Sequence, residues 1–286
     1  MTRIIATLVA IFVGLALFSG AAVVLITPVA VQFVESALGR AGDPPAERAD
    51  GPQTPTESDA DFGEVQVFDV LADGSLEPAA TGVAAEVWNQ FVRIVGADVA
   101  GEVIIQYRAG DAPRSDTLAY VYQDQNPRYW TLAVNLATAD DPQLLVATLI
   151  HEYAHVFSFD HADFDRKAPS CDTLDLFEGC AADDSYLYEF YVAFWAGYPD
   201  AVDVENTDPD AAWRFYLAYE DDFVSDYAAT NLGEDFAESF MTFVIEDSFE
   251  GPSVAAQKLR FFTQYPELVE LREHIRAEMA VELGLR

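Results

Sequence analysis

Residues 151–155 read His-Glu-Tyr-Ala-His. On a helix, positions i and i+4 lie one above the other on the same face. His151 and His155 can therefore reach one metal ion, at about 2.0–2.1 Å per nitrogen. Glu152 follows the first histidine and can approach a water held by that ion. Two imidazoles and a carboxylate base in the spacing H-E-x-x-H suit hydrolysis by metal-activated water.

That chemistry requires a helix at this place. Asp140-Asp141-Pro142 supplies an acidic N-cap followed by proline at the first helical position. Leu144, Leu145, Thr148 and Leu149 carry the helical pattern into the motif. Upstream, residues 83–95 have helical spacing, with Val87, Trp88, Phe91 and Ile94 on one apolar face. Residues 102–107, 118–122 and 129–136 read as strands, the last two separated by the turn composition Gln-Asp-Gln-Asn-Pro. Downstream, a helix is predicted over 186–195, then Pro/Asp-rich turns near 199–210. A last helix places Leu268, Leu271, Ile275 and Met279 for burial. The pattern predicts an α+β domain, a small mixed sheet over the H-E-x-x-H helix followed by a mainly helical C-terminal half.

A catalytic site of this kind keeps three protein ligands and one open position. Glu234 is the favoured third ligand. It lies in Tyr-Ala-Ala-Thr-Asn-Leu-Gly-Glu-Asp-Phe-Ala-Glu-Ser-Phe, where Asn231-Leu232-Gly233 reads as a turn and Glu234 opens a helix. Glu238 shares its face, so one carboxylate can ligate while the other accepts the second ring N–H of a ligating histidine. The competing third ligand is His161, because H-E-Y-A-H-V-F-S-F-D-H has the histidine spacing of the metzincin pattern. Ser158 stands there where that pattern has a glycine for the helix exit, and Met241 falls within a predicted helix rather than a Met-turn.

With both blocks in view, the chain resembles the lethal-factor type of gluzincin metallopeptidase. The resemblance rests on His151, Glu152 and His155, followed by Tyr-x6-Glu-x-x-Ala-Glu at Tyr227, Glu234, Ala237 and Glu238. The run Lys-Leu-Arg-Phe-Phe-Thr-Gln-Tyr-Pro-Glu-Leu near the end fits less specifically. The resemblance implies a zincin-like fold with one catalytic zinc ion on His151, His155 and Glu234. It further implies Glu152 as catalytic base, Tyr227 as donor to the oxyanion, and Glu238 as the group orienting a ligating histidine. The segment 156–226 departs from the compact pattern of that group.

Composition limits where such a domain works. The chain has 286 residues and a net charge of −34, from 49 acidic against 15 basic residues. Phosphate binding needs clustered Lys and Arg, so nucleic acid is excluded as a partner. Residues 4–34 are apolar apart from Gly, Ser, Thr, one Pro and Gln32. They are long enough to span a bilayer, so residues 1–38 are expected to be an uncleaved transmembrane signal anchor; a cleaved signal peptide ending near Ser19-Gly20-Ala21-Ala22 is the alternative. Residues 39–63, rich in Pro and nearly free of large apolar groups, read as a mobile linker. The catalytic domain is expected over 64–286. Arg3 precedes the span and Arg40 and Arg48 follow it, so charge does not orient it. The two cysteines, Cys171 and Cys180, are expected to form a disulfide, which places the domain on the extracytoplasmic side of the cell membrane.

The expected reaction is hydrolysis of a peptide or protein substrate. The strand over 128–136 precedes the metal helix and is expected to be an edge strand that holds substrate by main-chain pairing. A different class of function remains open, a membrane-tethered binding module with a structural metal closed by four ligands or with none.

Overall fold

A computed structural model of the chain describes residues 54–285. The membrane anchor expected at 1–38 and most of the expected linker lie outside the described residues. Among the described residues, no helix is long and apolar enough to cross a membrane.

The folded part begins inside the segment expected to be linker. Strand β1 (Thr56–Asp59) pairs antiparallel with β2 (Gly63–Val70). The polar run between them is turn chemistry: Asp59 Oδ1 accepts from the N–H groups of Asp61 and Phe62 at 2.9 and 3.0 Å. Gly63 takes φ 75°, a left-handed conformation that glycine adopts without strain. Phe62 is buried against the Tyr120 ring, so this hairpin is fastened to the sheet.

After β3 (Leu76–Glu77) come helix α1 (Gly82–Val95) and the short α2 (Ala97–Val103), then β4 (Ile104–Gly110), β5 (Ala119–Gln123) and β6 (Trp130–Asn135). Val87, Trp88, Phe91 and Ile94 are all buried, as their spacing predicts. Residues 102–103, expected in a strand, close α2 instead. Gly96, at φ 88°, ends α1 and lets the chain turn into that extra helix.

The sheet runs β1-β2-β4-β6-β5, with β3 on β2. It is antiparallel except for the parallel pair β4–β6. The strand expected at the edge, β6, is therefore interior. All of its residues are buried, and its near-continuous apolar run Trp-Thr-Leu-Ala-Val suits a strand covered on both faces. The edge belongs to β5. Leu118 O accepts from Asn135 N–H, and Asp124 N–H donates to Tyr129 O. Antiparallel alternation then turns the N–H and C=O groups of Ala119, Val121 and Gln123 away from β6.

Helix α3 (Pro142–Ser158) lies against α1 and β5. Asp141 caps it, accepting from Gln143 and Leu144 N–H at 3.1 Å, with Pro142 in the first turn. Residues 145–156 are all buried. The insertion that follows holds a second small sheet of β7 (Phe164–Asp165), β8 (Asp175–Leu176) and β9 (Gly179–Ala181), ordered β7-β9-β8. Cys171 and Cys180 form the disulfide across it. Helix α4 (Tyr186–Phe190) continues as a π turn to Trp195, and α5 (Pro209–Ala218) follows.

The C-terminal part is α6 (Leu232–Ile245), α7 (Val254–Phe261) and α8 (Pro266–Glu278). Helix α6 packs on α3, with Phe157 edge-on to Phe236 and Phe240. Asn231 is its N-cap, accepting from Glu234 N–H at 2.9 Å. At its other end, Arg272 and Arg276 of α8 donate to the free carbonyls of Phe243, Val244, Ile245 and Glu246. Cations there also offset the negative end of the helix dipole.

One face of α6 carries Asp235 and Ser239. Asp235 accepts from Trp195 Nε1–H at 2.8 Å and from the Ser239 hydroxyl at 3.3 Å. The Lys258 ammonium lies 2.6 Å from Asp235 Oδ2, a contact of charge rather than a well-directed hydrogen bond. It also stands 3.9 Å from the centre of the Phe223 ring. Burial pushes the Asp235 carboxyl up and the Lys258 ammonium down, and each partner's charge opposes the shift. Removing one partner strands a charge in a dry site. Lys258→Met is expected to lose about 3–5 kcal/mol of stability by urea denaturation, and Asp235→Asn with Lys258→Met clearly less. Equal losses for the single and double variants would show that the pair is not what holds these helices.

Candidate metal centre

Helices α3 and α6 are buried nearly all round, yet each carries a polar stripe at helical spacing. On α3 it is Thr148, His151, Glu152 and His155; on α6 it is Glu234 and Glu238. The two stripes face each other. His151, Glu152, His155, Glu234 and Glu238 are only 1–6% exposed, so their charges must be offset by one another or by something bound.

Three atoms converge. His151 Nε2 lies 3.1 Å from Glu234 Oε2, His155 Nε2 lies 3.3 Å from the same oxygen, and the two nitrogens are 3.1 Å apart. His151 Nδ1–H donates to Glu238 Oε1 at 2.9 Å, which in the neutral ring leaves the lone pair on Nε2, facing the other two atoms. Three lone pairs at this spacing repel one another unless positive charge, a proton or a metal ion, sits among them. For bonds of about 2.0–2.1 Å, the corners of a tetrahedral zinc-type site stand about 3.3–3.4 Å apart. The buried group of His151, His155 and Glu234 thus fits the donor set of a metal ion and could hold one.

Without a metal ion, a proton supplies that charge. Burial works against the His151 imidazolium, but hydrogen bonds and charge from Glu234 and Glu238 outweigh it and hold its pKa well above the usual 6.5. Burial would raise Glu234, but the charge of His155 and hydrogen bonds from both histidines bring its carboxyl far below the usual 4.5. Glu152 behaves differently. Burial, with the Glu234 charge adding to it, raises its pKa, while the histidines and the Val121 amide pull the other way. Its Oε1 has no hydrogen-bond partner among the described residues, so a buried acceptor is left free beside the triad.

Tyr227 begins a short 3-10 turn (Tyr227–Ala229) ahead of α6. Its ring centre is 6.0 Å from that of His151, and its hydroxyl donates to Glu234. Burial and the surrounding carboxylates push its pKa well above 10.0, so the phenol stays a donor at any working pH. His161, the competing ligand, is not brought to the group. It sits in the turn His161–Asp163, its side chain 37% exposed and paired with Asp160 at 2.9 Å. The exit of α3 through Ser158 and Phe159 carries it away.

The insertion borders the centre. Burial lifts the Glu178 carboxyl above its usual range, and among the charges it feels is that of His155. Gln123 of the edge strand donates to Phe159 O at 3.0 Å and accepts from Arg166 at 2.5 Å, joining β5 to that segment.

The roles of two residues carry no sequence signal, and Gly233, expected in a turn with Asn231 and Leu232, lies in the first turn of α6, which Asn231 caps. Gly233 packs under the Phe159 ring, where a Cβ would come within 3.1 Å of Cζ, so glycine lets α6 approach the end of α3. Ser225 donates to Glu238 Oε2 at 2.6 Å. The nearest sequence sign is its place three residues before Ala228, whose N–H it caps.

The centre makes two measurable statements. Zinc titration of the metal-free chain is expected to give one tight site, lost in Glu234→Ala and kept in His161→Ala. The reverse pattern would move the site to the metzincin arrangement. Proton linkage gives the second. Folded His151 holds its proton more tightly than the unfolded chain does, so its contribution is complete below about pH 6.5 and is lost as pH rises through its raised value. Glu234 contributes fully above about pH 4.5, and that contribution is lost as pH falls. Without metal, the urea midpoint of the wild type should exceed that of His151→Gln most between about pH 4.5 and 6.5. The gap should narrow above that window; a gap that widens up to pH 8.5 contradicts the assignment.

Comparison of the chain with protein-family models, with curated proteins and with solved structures finds no match in any of the three, so the reading of this centre rests on its own geometry.

Proposed function

We propose that the domain is a zinc-dependent peptidase, tethered to the cell membrane through residues 4–34 and working on the extracytoplasmic side. The observation that supports it most is the buried acceptor triangle of His151, His155 and Glu234 with the free Oε1 of Glu152 beside it. The two-imidazole, one-carboxylate donor set suits zinc among the common divalent ions. When bound, such an ion supplies a Lewis acid that polarises the scissile carbonyl and acidifies water.

The chain's own residues carry the remaining work. Glu152, with its raised pKa, takes a proton from the attacking water and returns it to the leaving amine. Tyr227 keeps its proton and donates to the developing oxyanion. The outward N–H and C=O groups of Ala119 and Gln123, with the C=O of Val121, pair with an extended peptide, in the role first expected of the 128–136 strand. This pairing lays the peptide across Glu152, which feels the Val121 amide. The extracytoplasmic placement is supported by the Cys171–Cys180 disulfide.

The test uses the zinc-loaded full chain and a mixed peptide library read by mass spectrometry. Wild type is expected to cleave, Glu152→Gln to keep its zinc and lose cleavage, and Tyr227→Phe to keep zinc and lose about 10²–10³ in kcat. Zinc binding with no cleavage dependent on Glu152 would instead support a binding module with a structural metal.

A further inference from the structure

The carboxylate behind His151 is itself held from behind. Glu238 uses Oε1 for His151 Nδ1–H and Oε2 for the Ser225 hydroxyl, at 2.9 and 2.6 Å. The same Ser225 oxygen accepts from Ala228 N–H at 3.1 Å. Each role is forced. A carboxylate can only accept, so the single hydroxyl proton goes to Glu238. A backbone N–H can only donate, so the hydroxyl lone pair takes it. The chain Ala228 N–H, Ser225 O–H, Glu238, His151 Nδ1–H therefore has one consistent set of protons. It spans two elements: Ala228 belongs to the turn that carries Tyr227, and Glu238 to the helix that carries Glu234.

We propose that Ser225 is a positioning residue for the metal centre: its hydroxyl fixes the Glu238 carboxylate, and through it the ring of His151, and ties both to the turn that carries Tyr227. Without that donor, Glu238 has one partner instead of two and can rotate, and His151 loses the fixed tautomer that aims Nε2 at Glu234 and His155. The same change uncaps the Tyr227 turn. The inference rests on the metal reading of the triad.

The test measures metal affinity by competition with a chromophoric chelator, for zinc and for cobalt, together with the visible spectrum of the cobalt form. Ser225→Ala is expected to bind about tenfold more weakly, with a shifted cobalt spectrum, since partners behind a ligand typically tune affinity by about 10–100-fold. Ser225→Thr, which keeps the hydroxyl, should restore affinity to within about twofold of wild type. Because Ser225 acts through Glu238, Ser225→Ala added to Glu238→Gln should cost nothing further. A residue that merely caps a turn would lower thermal stability but leave the affinity and the cobalt spectrum alone. Should the alanine variant not fold, Ser225→Cys keeps the volume, weakens the hydrogen bond and answers the same question. Wild-type affinity and spectrum in the alanine or cysteine variant, or additive losses in the double variant, overturn the inference while leaving the metal reading intact. A wild-type chain that binds neither ion overturns both.

Discussion

Two imidazole lone pairs and a carboxylate oxygen, forced to within 3.1–3.3 Å of one another away from water, set the demand that the surrounding fold answers. Such an arrangement repels itself unless a proton or a metal ion sits among the three atoms, so the helices carrying it are pinned by other means. Helix α3 is capped at its start by Asp141, and α6 by Asn231 at one end and by Arg272 and Arg276 at the other. Phe157 interlocks with Phe236 and Phe240 between them, and Gly233 lets the first turn of α6 close on Phe159. The loop before α5 adds a clamp: Asn231 donates to Asn206 O, and Leu232 N–H to Val204 O. Apolar packing and caps supply the stability, and the polar stripes are free to be chosen for chemistry.

The same economy of positive charge runs through the rest of the domain. With 49 acidic residues against 15 basic ones, most carboxylates cannot find a cation. Tyrosine hydroxyls take over that role at several places, Tyr186 to Glu267, Tyr198 to Asp222, and Tyr265 to Glu189. Burial, reinforced by these carboxylates, raises each phenol's pKa, so the donor does not ionise. Of the two lysines, Lys258 is spent inside, opposite Asp235. Asp235 is the sequence neighbour of Glu234, yet it lies on a different face of α6, with Trp195 and Lys258 as its partners. Two adjacent buried carboxylates can thus coexist because one is neutralised by a lysine and the other faces the histidines.

What was legible in the sequence is local. The Asp141-Pro142 start, the apolar face of α1 and the i, i+4 pairs His151/His155 and Glu234/Glu238 are statements about one turn of backbone, and local sterics enforce them. What was illegible depends on partners far along the chain. Strand order is such a case: β6 looked like an edge because it precedes α3, whereas β5 takes the outside by folding back antiparallel. The hairpin over 56–63 was hidden by its own polar turn, since Asp and Gly serve a linker and a tight turn equally well. Ser225 carries no periodic signal, and its role exists only because the chain before α6 crosses behind Glu238.

A five-residue motif is a weak statement, and the more discriminating one is the contrast around it. A surface helix shows polar residues on its outer face, where water solvates them. Helix α3 has residues 145–156 buried without exception, so its polar members have no solvated face to occupy. Thr148, His151, Glu152 and His155 are then expensive unless the opposing helix supplies complementary groups, and α6 meets two of them with Glu234 and Glu238. Thr148 Oγ1 and Glu152 Oε1 are left without a hydrogen-bond partner among the described residues; of the two only Glu152 is an acid, and it lies beside the open edge of β5. An acid kept dry, with one oxygen unpartnered and the histidines in front of it, is costly to the fold, which is why its place argues for chemistry rather than for packing.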